Sequence, residues 1–249
     1  MSRVALEDHT GPDKLLGALA GGLIVSCQAE LGASLDVATG AALMASCAAR
    51  GGAVGIRTNG PDSVRAVRSV VSLPIIGLHK VQGERRMTIT PSIELARGLA
   101  EAGAAIIAAE FTADTGTDVP ERIAAFREVG VRVMADISTF EEGVAAWVAG
   151  ADLVGTTLSG YTPYTRSSSN DPDLDLVARL SAAGVRVVAE GRLATPTHVQ
   201  AAFAAGAFAV VVGGAITDPI RLTAQLVTAT RRSAGHIDAV VHRSREGRE

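Results

Sequence analysis

Short apolar runs of about four to eight residues alternate with helical patterns of about ten to fourteen, and the alternation repeats eight times along the chain. The runs fall at residues 22–28, 53–58, 74–80, 104–112, 131–138, 152–160 and 185–190, with the last ending at Gly213-Gly214. They are too continuously apolar for strands with one wet face, so both faces of the sheet must be covered. Parallel strands joined by one short helix need a right-handed crossover, which puts all the C-terminal strand ends on one rim. The expected fold is therefore α/β: a single (β/α)8 TIM barrel with a short N-terminal helical segment around residues 14–20. Residues 1–21 form its lead, and residues 236–249 a basic tail expected to fray.

Local signals place the boundaries. Thr139 with Glu142 three residues later is a capping box, and Thr195-Pro196 opens another helix. The sequences EAGA, EVGV, VAGA and AAGV each supply a glycine where a helix should end before a strand. Residues 81–90 and 161–172 are longer and more polar than the other links and read as loops.

Composition narrows the classes. Apolar residues make up 47% of the chain but aromatics only 3%, so the core must be built from Ala, Val, Leu and Ile. A net charge of -3 gives no field for nucleic acid. Cys27 and Cys47 have neither metal-ligand nor disulfide-framework spacing, which suits a reduced cytoplasmic protein. No run approaches the ~18 apolar residues of a membrane span.

Side chains alternate across a strand, so the last residue and the one two before it share a face. Here the strand ends carry Gln28, Arg57, Lys80, Glu110, Asp136, Thr156 or Thr157, and Glu190. Seven polar groups converging on one rim make a site. Lys80 and Glu190 are the expected acid–base pair. An amine between apolar walls near Arg57 loses its charge readily, and a carboxylate nearby acts in the opposite direction. Arg57 either binds phosphate or a carbonyl oxygen or pairs with Glu110. Gln28 suits a sugar hydroxyl or an amide, or caps the first loop, while Asp136 orients Lys80 or turns the chain. Cys27 points to the opposite face and packs. Gly191, Gly213 and Gly214 follow the last two strands, where such barrels hold phosphate on backbone N–H groups.

The blocks GLIVSCQA, GGAVGIR, PIIGLHK, MADIST, GTTLSGYT, AEGR and VVGGAIT cover nearly the whole chain. In that order they resemble the N-acetylmannosamine-6-phosphate 2-epimerase family. The resemblance implies interconversion of N-acetylmannosamine 6-phosphate and N-acetylglucosamine 6-phosphate without a metal or other cofactor, with Lys80 and Glu190 exchanging the C2 proton. It implies substrate contacts from Gln28, Arg57 and Asp136, to which Glu110, Thr157 and Tyr161 are added. Phosphate would lie on Gly191, Arg192, Gly213 and Gly214. The expected partner is thus a small amino-sugar phosphate, with neither nucleic acid nor membrane, and pairing through outer helices as a homodimer. The chain departs from the family pattern at Val81, Glu110 and Asp218. Asp218 stands where the family usually has arginine, and Arg192 is the residue expected to substitute. The competing readings are a Schiff-base aldolase using Lys80 and a non-catalytic sugar-phosphate binding protein.

Overall fold

The structure, a computed structural model, describes residues 14–29, 35–83, 86–167 and 169–230. Its strands are β1 (Leu23–Ser26), β2 (Gly55–Asn59), β3 (Ile75–Leu78), β4 (Lys80–Gln82), β5 (Met87–Ile89), β6 (Ile106–Glu110), β7 (Arg132–Asp136), β8 (Leu153–Gly155), β9 (Val187–Glu190) and β10 (Ala209–Val212). All except β4 and β5 form a closed barrel of order β1-β10-β9-β8-β7-β6-β3-β2. Closure is made by parallel pairing of β1 with β10, Leu23 opposite Val210.

Helices α2 (Ala38–Arg50), α3 (Pro61–Arg68), α4 (Ile93–Glu101), α5 (Val119–Arg127), α6 (Phe140–Val148), α7 (Leu174–Ala182) and α8 (Pro196–Ala204) fill the links. Ahead of the barrel stands α1 (Lys14–Gly17). A four-residue helix α9 (Gly214–Thr217) follows β10, and residues 219–230 are helical after it. The expected Thr139–Glu142 capping box is present at α6. The four glycines read as helix exits, Gly103, Gly130, Gly150 and Gly184, all have positive φ, which only glycine adopts at little cost.

Two apolar layers follow from the alternation. Ile24, Ile76, Ile106, Met134, Val188 and Val211 point into the barrel. Their neighbours Val25, Ile75, Ile107, Val133, Val187 and Val210 point outward under the helices. Leu16 and Leu19, at and beyond α1, are buried with the inner layer. Gly55 admits Leu19 there, since a Cβ at residue 55 would lie 2.7 Å from a Leu19 methyl. With one end packed by hydrocarbon, the inward parity of each strand delivers its polar residue to the other.

Two links differ from expectation. The segment read as a loop at residues 81–90 contains an antiparallel hairpin, with Lys80 opposite Ile89 and Val81 opposite Thr88. Its strands are three residues each, too short for alternation to stand out from polar loop residues. The apolar run at 152–160 forms only a short strand, β8, which stops at Gly155, so Thr157 lies on the turn beyond it. The basic tail at 236–249 and most of the lead lie outside the described residues.

Candidate active site

The centre of the rim is a buried guanidinium. Arg57 on β2 is 1% exposed and donates to both oxygens of Asp136 on β7, Nη1 to Oδ1 at 3.1 Å and Nη2 to Oδ2 at 2.7 Å. Its Nη1 also lies 2.8 Å from Oε2 of Glu190 on β9. Asp136 is 0% and Glu190 13% exposed. Asp136 therefore neither orients Lys80 by a hydrogen bond nor serves only to turn the chain; it clamps Arg57. Arg57 in turn does not pair with Glu110. Gly155 makes room for the clamp, since a Cβ there would lie 2.4 Å from the Met134 methyl and 2.9 Å from Asp136 Oδ1.

Two carboxylates facing one guanidinium leave one negative charge uncompensated, and Glu190 absorbs the imbalance. Burial raises its pKa, Arg57 lowers it, and the Asp136 charge raises it again, for a net value of about 7. Thr157 carries this further. Its Oγ1 lies 2.6 Å from Asp136 Oδ1 and 3.1 Å from Glu190 Oε2, yet a hydroxyl has one proton to give. When Glu190 carries a proton, as its raised pKa allows near neutral pH, it donates to Thr157 while Thr157 donates to Asp136; when it is ionised, Thr157 serves one carboxylate at a time. Burial alone would lower the pKa of Arg57; the two carboxylates outweigh it, and the net shift is upward.

Lys80 begins the hairpin just beyond β3, its backbone N–H held by Asn59 Oδ1 at 2.8 Å. Solvent reaches its side chain, but the concave mouth strips enough water to lower its pKa, and Arg57 lowers it further. Glu190, Asp136 and Asp36 pull the other way. Among the described residues Lys80 forms no salt bridge with Asp136 or Glu190; Arg57 holds both carboxylates.

Lys80 and Glu190 line one cavity of about 770 Å³, which runs past Thr157 and Tyr161 to Gly191, Gly213 and Gly214. Lys80 also borders a second cavity of about 290 Å³ with Gln28, Asn59 and Asp36. Gln28 donates to Ser26 Oγ at 2.7 Å, while its Oε1 and the Nε–H of Arg57 are buried with no hydrogen-bond partner. Each such orphan costs about 1–3 kcal/mol. Cys27 packs outward as expected, and burial pushes its thiol up to about 12.

Two expected binding residues are otherwise engaged. Glu110, 1% exposed, is bound by Arg86 from the hairpin, which also reaches Thr112 and Asp114. Arg192 is among the residues that line the cavity, and its guanidinium is held at two backbone carbonyls. Nη1 donates to Ser159 O at 2.7 Å and Nε to Asp171 O at 2.6 Å, beside the Tyr161 ring. Arg86 went unread in the sequence, and the available signal was the inward carboxylate of Glu110, which needs a nearby cation. Thr156, the other candidate at this strand end, is structural: its hydroxyl accepts from Glu190 N at 3.0 Å and donates to Glu190 O at 2.9 Å, fixing the end of β9.

Residues 41–232 match the model of a protein family described as "Putative N-acetylmannosamine-6-phosphate epimerase". The chain belongs to that family. Relatives bearing the same name with "2-epimerase" for "epimerase" include one from Escherichia coli O157:H7, 47% identical over 204 residues, spanning 79% of this chain and 86% of that one. Another, from Klebsiella pneumoniae (strain 342), is 45% identical over 199 residues, spanning 79% and 84%. The solved N-acetylmannosamine-6-phosphate 2-epimerase from Clostridium perfringens superposes with a TM-score of 0.81 at 36% identity, covering 89% of this epimerase-family chain and 98% of its own. A deoxyribose phosphate aldolase from Aeropyrum pernix, 16% identical with a TM-score of 0.58 over 85% and 98%, shares the fold alone.

Proposed function

We propose that this protein interconverts N-acetylmannosamine 6-phosphate and N-acetylglucosamine 6-phosphate by moving the C2 proton between Lys80 and Glu190. One observation carries the reading. A lysine with a lowered pKa and a glutamic acid with a raised one line the same cavity, and family membership supplies the substrate class.

The hydrogen on C2 is acidic once the sugar ring opens, because it then lies alpha to the aldehyde. Removal of that proton gives an enolate whose C2 is planar, and return of a proton to the opposite face inverts the centre. The pair holds one proton in the working state, and each direction of reaction uses the groups in opposite roles. Poising both toward neutrality makes transfer possible at ordinary pH. The Arg57–Asp136 clamp and Thr157 fix the Glu190 carboxyl, so little reorganisation is needed when charge moves. The free Oε1 of Gln28 accepts from the acetamido N–H or a hydroxyl. The backbone at Gly191, Gly213 and Gly214 takes the phosphate end. Glu110 acts through Arg86, holding the hairpin that carries Lys80.

Incubation with N-acetylmannosamine 6-phosphate in D2O, followed by NMR, tests the reading. Deuterium should appear at C2 with both epimers present. An absence of both epimerisation and C2 exchange would sink it, and borohydride trapping of the sugar on Lys80 would favour an aldolase instead.

Two coarser properties complete the proposal. Among the described residues no helix is long and apolar enough to cross a membrane, and Cys27 and Cys47 are unpaired; we take the reduced cytoplasm as the compartment. A homodimer is the proposed assembly, since Leu43 on α2 and Ile220 and Leu226 on the helix at 219–230 are each at least 60% exposed. Light scattering should give twice the chain mass, and a monomer at all concentrations would reject pairing.

A further inference from the structure

Among the described residues, the large cavity is lined by two arginines, Arg192 and Arg221, and one lysine, Lys80. Lys80 is assigned to the chemistry, and Arg192 donates to the carbonyls of Ser159 and Asp171. That leaves Arg221, on the helix at 219–230. Helical side chains lean back toward the helix N-terminus. The Arg221 guanidinium accordingly lies against the glycine turn after β10. A Cβ built on Gly214 would be 3.3 Å from its Nη2 and 3.4 Å from its Nε. It is 44% exposed, and its ion pair with Asp218 is a long one, Nε to Oδ2 at 3.7 Å. The other oxygen of Asp218 accepts from the Arg221 backbone N–H at 2.9 Å, so Asp218 caps the helix and anchors its first turn.

We infer that Arg221 is the cation that recognises the phosphate of the substrate, with Asp218 holding it over the Gly213–Gly214 turn and opposing its charge. The inference rests on the proposed sugar-phosphate reading and adds the residue that selects phosphorylated over unphosphorylated sugar. Arg192, already donating to the carbonyls of Ser159 and Asp171, does not serve this role. Absence of a side chain at Gly214 lets guanidinium and backbone face the same oxygens. The two nitrogens beyond Nε suit a fork on a phosphate.

Titration calorimetry with N-acetylglucosamine 6-phosphate and with N-acetylglucosamine tests it, on the full chain and on Arg221→Ala, Arg221→Lys and Asp218→Asn. Asparagine still caps a helix. The parent should prefer the phosphorylated sugar. Arg221→Ala should weaken binding of that sugar about 10- to 100-fold, the usual size for a charge-assisted contact, and leave the unphosphorylated one unchanged. Arg221→Lys should recover part of the loss, and Asp218→Asn should tighten binding a few-fold. Equal affinity of parent and Arg221→Ala for the phosphorylated sugar overturns the inference, as does a parent that does not distinguish the two sugars. C2 exchange measured on the same samples keeps the two proposals separate. Exchange that persists without an Arg221 effect removes the inference alone, whereas an Arg221 effect without exchange removes the reaction alone.

Discussion

Two clusters on the same rim are made from the same parts. Each has one arginine, two carboxylates and a threonine hydroxyl: Arg57 with Asp136, Glu190 and Thr157 in one, Arg86 with Glu110, Asp114 and Thr112 in the other. In the first, all charged partners come from barrel strands and the arginine is sealed at 1% exposure. In the second, the arginine belongs to the hairpin and is 19% exposed, and Asp114 is 34% exposed. Water relieves the extra charge of the second cluster. In the first, Arg57 and Asp136 are sealed, so the excess falls on Glu190, whose pKa is raised, beside the field of Lys80. Identical chemistry thus yields a strap in one place and a poised acid in the other, and burial makes the difference.

The comparison breaks most sharply at the acid itself. Glu190→Gln and Lys80→Ala should each lower the epimerisation rate by about 10³-fold or more, in line with the loss of a general acid or base, with the circular dichroism spectrum unchanged. Arg57→Ala should come next. It leaves two carboxylates buried against each other, and denaturant titration should show a loss of about 3–5 kcal/mol. Arg86→Ala should cost less, about 1–3 kcal/mol, and should raise KM while leaving kcat within about tenfold, because water replaces part of its role.

A smaller effect separates the clusters by pH. Glu190 has a folded pKa above its unfolded value, so its contribution to stability is present below the unfolded pKa near 4.5 and is lost as pH rises through about 7. Glu190→Gln should therefore raise Tm relative to the parent at pH 8 more than at pH 5, and thermal melts at the two pH values check this. The rate of the parent should rise through about pH 7, as the pair drops from two protons to one, and should fall on the alkaline side below the ordinary lysine range.

Much of this was legible in the residues because strand alternation is a geometric rule. Once eight strands are granted, Arg57, Asp136 and Glu190 must point inward at one end, and they do. What lay beyond the strands was not legible. Arg192 follows Glu190-Gly191 as a phosphate ligand should, but it has φ 59, a left-handed conformation, and its guanidinium lies against Gly160. A loop side chain is aimed by tertiary contacts that no periodicity encodes. The partner of Glu110 was hidden for a related reason, since Arg86 is brought to it by a hairpin of three-residue strands. The partners of Arg57 were open for a related cause: sequence lists the charges on a rim, and only packing across the barrel interior decides which of them meet.

If an amine and a carboxyl address opposite faces of one carbon, variants that keep a single base separate the two faces. Each pure epimer is incubated in D2O with Glu190→Gln or with Lys80→Ala, and loss of the C2 proton is followed by NMR. The account predicts that neither variant epimerises, and that each exchanges at most one epimer, a different one for each variant. Exchange of both epimers by either variant, or of the same epimer by both, would contradict it.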